Sequence, residues 1–400
     1  MAVFLDDLQV VGLKVESTQG TAATLAATDY FMTELVKVNP VVELIPADFK
    51  RQTLDQIAAR MGFVWVDATL RIPFKGSGTP GTAFAPLGAA LVSTGFVETA
   101  GIANGIVDVT ITNGGTLYTS PPTVGFTPTA GGSGATAQAF IAGGIVVSVL
   151  ITNPGSGYSS GATVTFTGGG GSAAAATCST SSAVSYLPVS APFSSNFSTL
   201  GKSVTLERYR GATTNGVKNV IKGCVPTKAA LGTTAGKICF LDMQYRGLYV
   251  APSNANMPAT TYNTTVEPII QSSGLAGHNF QPVAEKFNMD WGITTTVRPD
   301  HNSPYGIRSF QLTNRKPTFE WDPEVELVAT HDFFGRLIAG TEGNMGFAIG
   351  SSAGNRCDVV MPKAQYLSID EQRRADMMVY NIKGQINPNT GDDWVSFVFS

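Results

Sequence analysis

The sequence predicts a mainly β chain. A discontinuous body at 1–100 and 183–400, read as a sandwich or barrel with one short packing helix, is interrupted by a small β-repeat insert at 101–182. Three observations carry this. Most apolar segments alternate apolar and polar residues, the period of a half-buried strand. There are 44 glycines and 22 prolines in 400 residues, which multiplies turns and disfavours long helices. Glycine is also unevenly placed: 17 fall within the 82 residues 101–182, and between Thr99 and Gly201 the only charged residue is Asp108.

Gly62 to Phe74 reads as a long strand ending at a Gly/Pro cluster, Gly76 to Gly81. Pro86 to Val92 reads as a short helix with Pro in its first turn and Gly95 available to end it. The insert is a duplication. Ile111-Thr112-Asn113 recurs as Ile151-Thr152-Asn153, Tyr118 as Tyr158, and Thr123–Thr127 as Thr163–Thr167, while Gly-Ile-Val opens at Gly105 and again at Gly144. Each copy reads as strand, Asn/Gly turn and second strand. Two copies are too few for a free-standing solenoid, so one compact β module is expected.

After the insert, Val204/Leu206 and Cys239/Leu241/Met243 keep the alternation. Arg356–Tyr366 and Met377–Ile386 read as strands joined by a polar turn or single helical turn at Ser368–Arg374. The closing Val395, Phe397 and Phe399 share one strand face. Between two β-like regions lies a polar stretch, Asp48 to Arg60, a candidate arm through Asp48, Lys50, Arg51, Gln52, Asp55 and Arg60.

Composition and motifs exclude several classes. A net charge of −3 with 14% charged residues does not suit a surface that holds nucleic acid by phosphate neutralisation. Neither a membrane span of about 20 apolar residues nor a basic leader running into an apolar core is present, so no membrane insertion or Sec export is expected. Cys178, Cys224, Cys239 and Cys357 are scattered and read as buried thiols, and His278, His301 and His331 lack metal-ligand spacing. Gly76-Ser77-Gly78-Thr79-Pro80-Gly81 has the glycines of a dinucleotide loop, with Glu98 twenty positions after Gly78. Pro80 and Pro86, however, keep a helix from opening at the last glycine. Gly201-Lys202-Ser203 lacks the earlier glycine of a phosphate loop, and His331-Asp332 are too close in sequence to act as base and orienter. No enzyme, cofactor or metal is expected.

With 101–182 set aside, the order of several weak motifs resembles the major tail tube proteins of long-tailed, siphovirus-like bacteriophages. These are Glu16-Ser17-Thr18-Gln19-Gly20-Thr21, Leu25–Phe31, Arg51-Gln52-Thr53-Leu54 and Pro86–Leu91 in the N-terminal part. Val204–Leu206, Val220–Cys224, Cys239–Gly247, Asn355–Gln365 and the final Gly391-Asp392-Asp393 strand continue the pattern. The repeats are similar to Gly-rich add-on domains of phage virion proteins.

The resemblance implies subunits in stacked hexameric rings, forming a non-contractile tube through which double-stranded DNA passes without specific binding. It implies assembly in the host cytoplasm, residence in the virion tail, and tape measure, tail terminator and distal tail proteins as partners. The large insert departs from the usual pattern; it is expected to face outward, with weak host-surface or glycan contact through a surface bearing Tyr118 and Tyr158. Their equivalent repeat positions suit a structural role better. The alternative is a distal tail, baseplate or adhesin protein whose repeats bind a receptor or glycan.

Overall fold

The computed structural model describes residues 8–400 apart from 48, 51, 53, 54, 56, 57, 160, 192–199 and 212. The protein is mainly β. The N-terminal part contributes β1 (Gln9–Val15), β2 (Tyr30–Phe31), β3 (Val36–Ile45), β4 (Arg60–Pro73) and helix α1 (Ala85–Ser93). The insert region follows with β5 (Phe96–Thr116), β6 (Thr123–Pro128), β7 (Ser133–Ala142), β8 (Ile145–Ser156), β9 (Ala162–Thr167) and β10 (Ser172–Pro188). Then come β11 (Val204–Arg210), β12 (Gly216–Thr234), β13 (Phe240–Leu248), β14 (Ser253–Ala255), β15 (Ala276–Gly277) and β16 (Ala284–Asp290). The chain continues through β17 (Ile293–Pro299), β18 (Ile307–Arg315), β19 (Thr318–Pro323) and α2 (Phe333–Ala339). It ends with β20 (Glu342–Ile349), β21 (Cys357–Arg374), β22 (Met377–Asn387) and β23 (Ser396–Phe399).

One antiparallel sheet runs β3-β4-β13-β12-β16-β19-β22-β21-β20-β15. The long β12 belongs to two sheets: its first half pairs with β11, which continues to β1 and β2. Leu13 and Leu206 from that second sheet meet Leu70, Met243 and Met289 of the first in one core. Helix α1 is apolar all round, and residues 86–93 are accordingly all buried in the same core. The terminal β23 pairs with both β10 and β21, which holds the last strand in place.

The polar segment Ser368–Arg374 is strand, not the turn its composition suggested. β21 runs on to Arg374, and only Ala375 and Asp376, both at positive φ (47° and 65°), make the reversal into β22. A two-residue turn of that hand matches the twist of its flanking strands.

The two copies of the insert interlock. β6 pairs with β9 so that Gly125 faces Thr165, Val124 faces Phe166 and Phe126 faces Val164, a local two-fold about equivalent positions. β7 of the first copy pairs with β8 of the second, and β10 of the second with β5 of the first. Gly115 N–H donates to Asn113 (2.9 Å) as Gly155 N–H does to Asn153 (3.0 Å). Tyr118 N–H donates to the Gly144 carbonyl (3.0 Å) and Tyr158 N–H to that of Asn104 (2.8 Å). Asn104 therefore matches Gly144, and Gly105 and Ile106 match Ile145 and Val146. The one-residue offset read at Gly105/Gly144 lies instead in the β6–β7 loop, where an extra residue leaves the ladders intact.

This two-fold explains an unusual backbone feature. Asn104, Leu117 and Ala173 have positive φ (50°, 64° and 64°), and their counterparts Gly144, Gly157 and Gly134 do too (78°, 80° and 80°). The repeat requires a left-handed residue at each place, whichever side chain the sequence supplies.

Candidate assembly surfaces

The candidate arm, Asp48 to Arg60, lies between β3 and β4 and runs into the first residue of β4. The inner part of this hairpin lies over the core, with Val64, Val66 and Leu70 buried. Its outer part does not. Leu44 and Met61 are cross-strand partners, 64% and 75% exposed, and Val42, Ile45 and Phe49 are exposed as well. Among the described residues β3 pairs only with β4, so its other edge is open. Lys50, Gln52, Asp55 and Arg60 are all exposed, while Asp48 and Arg51 lie outside the described residues. A two-stranded ribbon with apolar side chains in water is marginal by itself, and an open edge is a ready site for association.

The insert meets the body along a seam that combines apolar and charged contacts. Phe140 and Leu150 of the insert pack with Ala276 and Val360 of the body, and Asn344 Nδ2 donates to the Ala139 carbonyl (2.9 Å). Asp108, the lone charge of its span, pairs with Arg356, which also donates through Nε to Asp358 (3.1 Å). Asp358 is fully enclosed, and its other oxygen accepts from Ile151 N–H at 2.9 Å. Burial pushes its carboxyl up to about 6, with Arg356 opposing the shift. The isolation of Asp108 in a neutral segment was the available signal for this contact, but its partner lies 248 positions away.

Tyr118 and Tyr158, expected on the insert surface, are buried instead (5% and 2% exposed). Each ring lies against glycines of the facing copy, Tyr118 over Gly169 and Gly171 and Tyr158 over Gly132, and so seals the two-fold core. The remaining motifs have structural explanations. A Cβ on Gly76 would sit 2.0 Å from the Gly354 carbonyl, so this glycine allows two backbones to touch, and Glu98 accepts from Tyr186 (2.8 Å). Ser203 donates to Glu16 (2.6 Å), a buried carboxylate that also accepts from Thr205, Gly20 N–H and Gly223 N–H. Asp332 caps α2 through Gly335 N–H (2.7 Å), while His331 stacks on Phe280 at 4.7 Å between centroids. Cys224, Cys239 and Cys357 are buried thiols, and burial pushes all three upward in pKa.

No protein-family model matches this chain, and no curated protein matches it in sequence.

Among the described residues no helix is long and apolar enough to cross a membrane. On the exposed β4–β13 face the guanidiniums are matched by carboxylates: Arg71 donates to Asp242 and Arg246 to Asp67, each through two nitrogens.

Proposed function

We propose that the chain is a virion structural protein whose copies assemble as stacked hexameric rings of a non-contractile phage tail tube. The observation that carries this reading is the β3–β4 hairpin. Its outer half leaves the body with Leu44 and Met61 in water and one edge open, an arrangement that burial against another chain would stabilise. The tube conducts double-stranded DNA, and a bore lined by a face such as β4–β13 would offer duplex few unpaired cations to grip it. Tape measure, tail terminator and distal tail proteins are the partners at its ends. In this reading the insert decorates the outside, and its repetition along the tail multiplies weak contacts with a host surface.

Negative-stain imaging of concentrated, pure protein tests the reading. Closed annuli or tubes are the expected outcome. Discrete trimers or monomers would favour a distal tail or adhesin role and count against the tube.

A further inference from the structure

Among the described residues a second exposed apolar surface lies well along the same sheet from the hairpin. Leu327, Val328, Phe334 and Ile338 are 76%, 72%, 43% and 86% exposed, and Met377 and Met378 at the β21–β22 reversal are 47% and 55% exposed. They belong to one region. Val325 N–H donates to the Met378 carbonyl (3.2 Å), Phe334 packs edge-on against Tyr380 at 5.4 Å, and Phe334 and Ile338 share one face of α2 at a spacing of four. Exposed side chains of this size, grouped together, mark interaction sites.

The strand order separates the two surfaces. β3 is the first strand of the long sheet, and β22 and β21 are the seventh and eighth, so four strands stand between β4 and β22. Their charges also differ in sign. Segment 36–62 carries Lys37, Lys50, Arg51 and Arg60 against Glu43, Asp48 and Asp55. Segments 324–338 and 370–376 together carry six anions, among them Glu326, Asp332 and Asp376, against three cations.

We propose that the α2 face, with the β21–β22 tip, receives the β3–β4 hairpin of a second copy, a head-to-tail contact that propagates from subunit to subunit. This rests on the assembly reading and specifies its two surfaces. Because donor and acceptor differ, repetition generates a ring when the rotation closes and a helical array when it does not.

The test uses two full-length variants in exposed residues, Leu44→Asp/Met61→Asp in the hairpin and Leu327→Asp/Ile338→Asp on the acceptor face. Circular dichroism and melting confirm that each is folded. Sedimentation velocity should show that each variant alone needs at least about tenfold more protein to assemble than the wild type. Mixed in equal amounts they should form a dimer and stop there, since one intact hairpin then meets one intact face. The conservative Leu44→Met and Ile338→Leu chains should assemble normally. Variants that assemble like wild type, or a mixture that stays monomeric while wild type assembles, overturn the head-to-tail assignment and leave the assembly reading standing. A wild-type chain that is itself monomeric at the highest concentration overturns both.

Discussion

Leu117 is a large side chain at φ 64°, 79% exposed, in a place where the other copy of the repeat has Gly157. A left-handed backbone costs a residue with a Cβ about 1–2 kcal/mol, and this Leu recovers little of that by packing. Leu117→Gly should therefore stabilise the protein by about 0.5–1 kcal/mol, after allowing for the added freedom of glycine in the unfolded chain. The urea midpoint measures it; an unchanged or lowered midpoint would contradict the two-fold account of the turn. Glu16 makes the opposite case. Its buried carboxylate accepts from Gly20, Ser203, Thr205 and Gly223, tying the N-terminal segment to β11 and β12. Glu16→Ala strands those donors and should cost about 3 kcal/mol or more by chemical denaturation.

At the scale of elements, the outer β3–β4 hairpin contributes little to the fold. Joining Leu44 to Met61 through Asn-Gly in place of residues 45–60 should leave the melting temperature within a degree or two while weakening assembly. A large loss of stability would mean that the hairpin is part of the core. Much of this level was legible in the sequence. Val395, Phe397 and Phe399 marked β23, Pro86 and Gly95 bracketed α1, and the spacing of 40 between Tyr118 and Tyr158 marked the duplication. Other features are set by contacts or turns that composition does not display. Ser368–Arg374 is polar because that part of the hairpin is exposed, and its turn uses Ala375-Asp376, which lacks the glycine that would announce it. Tyr118 and Tyr158 are buried because the two copies interlock, and a repeat spacing of 40 does not show which copy covers which ring. The α2 face is not legible in Phe333-Phe334-Gly335-Arg336-Leu337-Ile338, where every apolar side chain suits a core, and only the fold determines which of them stay outside.

For the whole molecule, buried titratable groups give stability a defined pH dependence. Burial, aided by Arg336, lowers His278 to about 3 and His331 to about 4 from an ordinary 6.5. The stability from burying them neutral is complete above pH 6.5 and is lost as pH falls toward those values, about 4 kcal/mol for the pair by pH 5. Asp358 works in the other direction. Its folded carboxyl titrates near 6 against an ordinary 3.8, so its contribution is complete below 3.8 and is lost as pH rises through 6. From pH 8 to pH 5 it offsets about 1.4 kcal/mol of the histidine loss. Asp358→Asn should therefore show a steeper acid loss than wild type over that range by denaturant titration; parallel profiles would contradict the assignment. The seam makes a second prediction. Removing 101–182 and bridging the ends leaves Arg356 without Asp108 and uncovers Val360 and Ala276, so the shortened chain should melt lower and still form rings. Failure of a folded, shortened chain to assemble would place the insert inside the assembly contact.

The most direct measurement is sedimentation velocity of the purified wild-type chain over a wide concentration range, with images of each resolved species. Self-assembly around an axis predicts a cooperative passage from single chains to a discrete closed species, with stacks of it at higher concentration. A single boundary at the mass of one chain throughout would contradict it.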